Sequence, residues 1–472
     1  MVSVSPTNNI PAGHDLPVLE RLFLGLTITL FFLLPFHGFL VTWLRFGLHV
    51  PGPINLWKEA LIAILFALTA IGVFRGWKNR NSFRQIRLDS VDIGILIFFG
   101  IGILSGILQY ARQADLSFIR IFYGFRYDFL MLVVFLFFRH GLLITADLPR
   151  KVIRAILIAG IMICTFAILQ ATILPRDFLA LFGYTPAFGT WSPDGPLATY
   201  QALSPQHPET VRAAGTFAGP NQFAMYCLIL VGLLGTQFAT ARSRHSQRNP
   251  YDWWFLLGIL PILGIVLSYS RSSLIGLLGA TAISIILALG KDKILTLLQR
   301  LKKVLLIGTI TALILIPCIL YFSPTTASYL NSVFVRENSS QGHWERSRDG
   351  VIRMLAKPFF GEGIGEAGPA SPRVDVQGFG FLPENWYLQL GVEYGLPGLI
   401  AWLTILFLMG KELSKRSKLT ASSLQPLALL FSFIAINIAC LFLHAWEDSA
   451  VALTWWGLAG LVLKKPRSAV PI

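Results

Sequence analysis

The chain has 472 residues, of which 54% are hydrophobic and only 13% charged, with a formal net charge of +15. A soluble globular domain carries about 25% charged residues, so this composition excludes a water-soluble core and describes a polytopic membrane protein. The basic excess would suit nucleic acid, but its placement along the chain excludes that partner, as the topology makes plain.

The first 19 residues are polar, and the apolar run that follows Arg21 has no small-residue cleavage site, so the first span is expected to be retained. A spanning helix needs about 20 mostly apolar residues. In chain order, spans are predicted near 20–38, 55–74, 91–110, 117–138, 152–174, 215–239, 253–269, 273–290, 304–322, 393–410, 425–444 and 449–463. The stretch 253–289 would reach roughly 55 Å as one helix, against a hydrocarbon core of about 30 Å. It must fold back, and Ser268-Tyr-Ser-Arg-Ser-Ser273 is its one polar place to turn. The expected fold is therefore an all-α polytopic membrane protein with about 12 transmembrane helices and a large extracytoplasmic loop between spans nine and ten.

Of the 39 Lys and Arg, 24 follow even-numbered predicted spans, in clusters such as Arg75–Arg87, Arg139–Arg154, Lys291–Lys303 and Lys411–Lys418. Positive-inside orientation then puts both termini in the cytoplasm and accounts for most of the net charge without nucleic acid. The resulting divisions are a cytoplasmic tail at 1–19, nine spans over 20–322, an outer loop subdomain at 323–392, three spans over 393–463 and a short tail at 464–472. The cysteines Cys164, Cys227, Cys318 and Cys440 all sit in apolar runs and read as small packing residues. No internal repeat is visible, which argues against a transporter built from duplicated halves.

The outer loop is too long to be structureless. Within it Trp344, Val351, Ile352 and Leu355 recur at helical spacing, with Arg346, Arg348, Asp349 and Arg353 on other faces, and Pro358 should end that helix. Three outer stretches could carry chemistry. The first runs from Arg212 through Gly215, Gly219 and Pro220 to Asn221, a suitable helix N-cap. An arginine beside a helix N-terminus suits an anion, and it equally suits a lipid headgroup. The second is Arg271 at the hairpin tip, where positive charge is unusual on the outer face; a headgroup anchor fits it too. The third is Gly380–Gly395, where Glu384 and Asn385 precede an apolar run. An acid there has a catalytic partner or serves the helix dipole after Pro383.

Other features weigh less. Gly361-Glu-Gly-Ile-Gly365 lacks the strand and the Lys-Ser/Thr of a phosphate loop and reads as a flexible turn. His444, Glu447 and Asp448 match no strong metal spacing. Arg120, Arg126 and Asp128 are intramembrane charges, read as functional or as an Arg–Asp pair between helices. Asn338-Ser-Ser340 fits a glycosylation acceptor only weakly.

Taken together, Arg212-x-x-Gly-Thr-Phe-x-Gly-Pro-Asn221, Ser-Arg271 at a hairpin tip, Lys-Pro-Phe-Phe-Gly-Glu-Gly-Ile-Gly365 and Glu384-Asn-Trp-Tyr-Leu-Gln-Leu…Glu-Tyr-Gly-Leu-Pro-Gly resemble the O-antigen ligase superfamily of ligases and surface-polysaccharide polymerases. The resemblance implies a metal-independent glycosyltransferase without cofactor in the bacterial cytoplasmic membrane, working on its outer face. It implies a glycan on undecaprenyl diphosphate as donor, a glycan or lipid-linked glycan as acceptor, and Arg212 and Arg271 as the diphosphate-binding residues. Many members carry His-Asn where this chain has Glu384-Asn385, and that His is their base. Glu384 is therefore expected to act as the catalytic base or as its close electrostatic partner, with Asn221, His343, Arg348 and Asn385 in support. The rival expectation is a non-enzymatic polysaccharide or lipid transporter.

Overall fold

The computed structural model describes residues 18–78, 88–112, 118–141, 143–186, 195–244, 253–287, 332, 337–374, 380–419 and 425–464. The predicted span 304–322, the polar tail before residue 18 and most of 323–336 lie outside the described residues. Within them the chain is mostly helical. The all-α expectation is corrected at one place: Ala202–Ser204 and His207–Val211 pair as a short antiparallel hairpin. Its strands are too short to carry a periodicity visible in the sequence.

Five helices among the described residues are long and apolar enough to cross a membrane: Val18–Gly47, Ile54–Phe74, Ser90–Arg112, Leu148–Thr172 and Trp386–Lys418. A sixth is the pair Phe118–Asp128 and Leu130–His140, bent by 51° at Phe129. Leu257–Leu267, Arg271–Leu287, Gln425–Ala439 and Ser449–Val462 are apolar but shorter. The 15 residues of Gln425–Ala439 reach about 22 Å, less than a hydrocarbon core. Among the described residues, length and composition therefore support five or six spans, and the expected count of twelve is not confirmed.

The core centres on Ser449–Val462, in which every residue from Ala450 to Leu461 is buried. A helix apolar on all sides belongs in the interior. It packs against Leu130–His140 and also meets Pro220–Arg244, Leu148–Thr172 and Gln425–Ala439. Glycines set the closest crossings, because only a residue without a side chain lets two backbones approach this far. A Cβ on Gly460 would lie 2.4 Å from the Phe135 carbonyl oxygen, one on Gly232 2.5 Å from that of Ala428, and one on Gly276 2.4 Å from that of Ala435.

The chain does turn at Ser268–Ser270, between helices Trp253–Leu267 and Arg271–Leu287. The last long helix is interrupted at Gly395, whose φ of 68° and ψ of −169° leave the helical region, just ahead of Pro397. Leu396 there donates its amide to the Pro358 carbonyl at 2.7 Å. Trp386–Tyr394 is thus a short first segment, set off from the rest of its helix at Gly395.

Candidate functional site

Arg212 leaves the short hairpin and is held by its neighbours on both sides. Its own amide donates to the Gln201 carbonyl and that of Ala213 to Leu267, both at 2.9 Å. Its guanidinium Nε donates to the Ser268 carbonyl at 2.8 Å and a terminal nitrogen to Asn221 Oδ1 at 3.0 Å. Arg212 is therefore fastened to the turn that carries Arg271. Asn221 is not the expected N-cap: the helix Pro220–Arg244 already begins at Pro220. With no amide of its own to satisfy, proline suits that first position, which frees the Asn221 side chain to accept from Arg212.

The segment between them is fixed from outside. Gly215 takes φ of 59°, and its amide donates to Gln170 Oε1 at 2.9 Å, with that of Ala214 at 3.4 Å. The Gln170 amide in turn donates to the Thr199 carbonyl at 3.3 Å. Gln170 lies inside a predicted span, where a single polar residue carried no separate signal.

The turn itself is organised by its serines. Ser268 Oγ donates to the Ile265 carbonyl at 2.6 Å and accepts the Ser270 amide at 3.2 Å. Ser270 Oγ lies 3.2 Å from Ser272 Oγ and 3.0 Å from Ser273 Oγ. Tyr269 takes φ of 52°, uncommon outside glycine, and half-buried Arg271 opens the next helix.

That helix lies against Gln425–Ala439, since a Cβ on Gly276 would touch Ala435 and Ala439 and one on Gly279 would touch Ile438. The same end of Gln425–Ala439 receives the start of Trp386–Leu419. The Trp386 amide reaches the carbonyls of Cys440 and Leu443 at 3.1 and 3.3 Å, Asn385 Nδ2 donates to Leu441 O at 2.9 Å, and Tyr387 Oη donates to Asn437 O at 2.8 Å. The helix that Arg271 opens and the stretch that follows Glu384 therefore both contact the C-terminal end of Gln425–Ala439, although Arg271 and Glu384 lie 113 positions apart in the sequence.

At that end Asn385 is the cap: its Oδ1 accepts the Leu388 amide at 3.0 Å. The alternative reading, a helix start at Pro383 with Glu384 serving the dipole, is thereby set aside. Glu384 instead adopts φ of 52°, a left-handed conformation that costs of order 1–3 kcal/mol for a side-chain-bearing residue. Its carboxylate meets His343 Nδ1 through one oxygen and the Arg346 guanidinium through the other. Burial raises its pKa, but the His343 hydrogen bond, the charges of His343 and Arg346 and the nearby His444 outweigh that and hold it below the usual carboxylate range.

His343 and Arg346 stand one turn apart on helix Glu337–Ala356. The same face carries Gly350, whose Cβ would contact Pro383 and Leu388, and Arg353, whose guanidinium lies 4.1 Å from the Phe381 ring centre. Arg348 falls off this face; it is 66% exposed and 3.7 Å from Asp349. The structure thus brings His343 and Asn385 to Glu384 and replaces the expected Arg348 with Arg346. The spacing from His343, three residues rather than five, was the available signal. The apolar stripe behaves oppositely to a buried face: Trp344, Ile352 and Leu355 are exposed, and the polar face docks.

Two further expectations change. Gly361–Gly365 is pinned, with amides of Glu362 and Gly363 on the carbonyls of Val392 and Glu393 at 2.7 and 3.2 Å, and that of Gly365 on the Glu393 carboxylate at 3.0 Å. The Arg–Asp pair is not formed. Arg126 binds Glu59 at 2.5 Å, Asp128 accepts from Tyr394 Oη, and Arg120 binds Glu366. Glu447 accepts from Gln389, while Asp448 caps Ser449–Val462 through the amides of Ala450 and Val451, so these two acids serve separate local roles.

Residues 256–403 match the model of a family described as O-antigen ligase. A comparison with curated proteins returns no match. The matched stretch contains Arg271, His343, Arg346, Glu384 and Asn385, whereas Arg212 and Asn221 precede it. Over this stretch, the chain is similar to the O-antigen ligase family.

Proposed function

We propose that the protein is a membrane glycosyltransferase that moves or polymerises a glycan from undecaprenyl diphosphate to a glycan or lipid-linked acceptor, on the outer face of the bacterial cytoplasmic membrane, in surface-polysaccharide assembly. The observation that supports this reading is that two kinds of chemistry are carried on elements that both contact the C-terminal end of Gln425–Ala439. On one side Arg212 is hydrogen-bonded to the turn that bears Arg271; on the other, Glu384 is bonded to His343 and Arg346.

The mechanism follows from what each part offers. A departing diphosphate is already anionic, and positioned guanidinium groups stabilise the charge that builds on it without a metal. An acceptor hydroxyl needs its proton removed as its oxygen attacks the anomeric carbon, and Glu384 belongs to the group that does this. The absence of a His-Asn pair at 384–385 favours polymerase over strict ligase behaviour.

Deletion of the gene in its host, with the surface glycan run on a gel, tests the reading. Loss of the ladder with one repeat retained identifies a polymerase. Loss of attached polymer while lipid-linked polymer accumulates identifies a ligase. Polymer trapped inside over an unchanged lipid-linked pool identifies a transporter and overturns the proposal.

A further inference from the structure

We propose that His343 is the residue that takes the acceptor's proton, with Glu384 and Arg346 acting as its positioning residues; this rests on the transferase reading above. Both oxygens of Glu384 are engaged, one by His343 Nδ1 and one by Arg346. A carboxylate accepting two charge-assisted contacts is stabilised as the anion, and its lowered proton affinity makes it a weak acceptor of a further proton. An orienting role uses the same contacts to advantage.

An ionised carboxylate can only accept, so the His343 Nδ1 that faces it carries the hydrogen. The neutral imidazole then holds its lone pair on Nε2, the nitrogen Glu384 does not engage. The His343 side chain is 35% exposed, which leaves it open to a substrate from solvent. Arg346 completes the arrangement from one turn further along the helix, holding the second Glu384 oxygen as the base's carboxylate is held in other acid–base sites. Glu384 makes these two contacts from a strained, left-handed backbone. His444 is the other nearby imidazole; it sits half-buried, its Nδ1 without a partner.

In the step, His343 Nε2 takes the proton of the acceptor hydroxyl while that oxygen bonds to the anomeric carbon. The bond from this carbon to the diphosphate oxygen breaks, its electron pair leaving on the lipid diphosphate. The imidazolium then releases its proton to solvent.

The test uses full-length purified protein, extracted undecaprenyl-diphosphate oligosaccharide as donor and membranes from a deletion strain as acceptor. His343→Ala should lower kcat by about 10²–10⁴-fold with KM for the donor little changed, and added imidazole should restore part of the rate by filling the vacated space. His343→Gln keeps an N–H for Glu384 but offers no basic nitrogen, so it should fold as the wild type and stay equally slow. Wild-type turnover in His343→Gln, or rescue by imidazole of His444→Ala but not of His343→Ala, overturns the assignment of His343 and leaves the transferase reading standing. Failure of the wild-type protein to transfer glycan at all overturns that reading, and this proposal with it.

Discussion

At the scale of single residues, the arginines and Glu384 make separable contributions. Arg212 spends two guanidinium nitrogens on Ser268 and Asn221, contacts that fix the planar group in place. Lysine keeps the charge but cannot reproduce two such contacts or a bidentate grip on phosphate oxygens. Arg212→Lys and Arg271→Lys should each lose most transferase activity at normal expression, and near-normal rates in both would remove the bidentate binding. Glu384→Gln should cut turnover by about 10²–10⁴-fold with donor binding retained, because the amide cannot hold His343 and Arg346 as the carboxylate does. Since the folded pKa of Glu384 is depressed, its contribution to stability is present above the unfolded carboxylate pKa and lost as pH falls through the folded one. Thermal melting of the wild type should therefore show a decline on acidification below the ordinary carboxylate range, and the decline should be smaller in Glu384→Gln.

At the scale of elements, the site depends on supports that never touch substrate. Gln170, on the helix Leu148–Thr172, accepts the Ala214 and Gly215 amides that lead into Asn221. Gln170→Leu leaves those buried donors unpaired, at about 1–3 kcal/mol each, and should lower both melting temperature and activity through Arg212. Asn385→Ala removes the cap of Trp386–Leu419 and should cost about 0.5–2 kcal/mol, read as a lower melting temperature. Asn385→Asp, which can still accept the Leu388 amide, should recover most of that loss.

At the scale of the whole molecule, close helix crossings bring these elements to one end of the bundle. Gly276 lets the Arg271 helix lie against Gln425–Ala439, and Gly460 lets the central helix lie against Phe135. Gly460→Val forces a side chain into backbone 2.4 Å from the Cβ position. Overpacking of this kind costs typically 1–3 kcal/mol, so the variant should melt at lower temperature and yield less folded protein, although it alters no residue of the site. Gly258→Ala is the control, because nothing lies within 4 Å of its Cβ position and its melting temperature should hardly move.

What the sequence determined by itself follows from rules that act locally. Charge content of 13%, apolar runs of spanning length and the serine turn within 253–289 each depend on residues close together in the chain. They were enough for a helical membrane protein, for a hairpin at Ser268–Ser270 and for Arg212, Arg271 and Glu384 as residues of interest. Only the tertiary structure decided which groups those residues face. Helical spacing states that His343 and Arg346 share a side, but not that this polar side docks while Trp344 and Ile352 stay exposed. Nor could spacing reveal that Arg126 pairs with Glu59 rather than Asp128, since the partner lies 67 positions away. Ion pairs and hydrogen bonds depend on distance in space, and that distance is set by how helices cross. The left-handed turn at Glu384 is the clearest case: no preference of glutamate produces it, and it exists because Asn385, Trp386 and the His343 helix are each held by other partners.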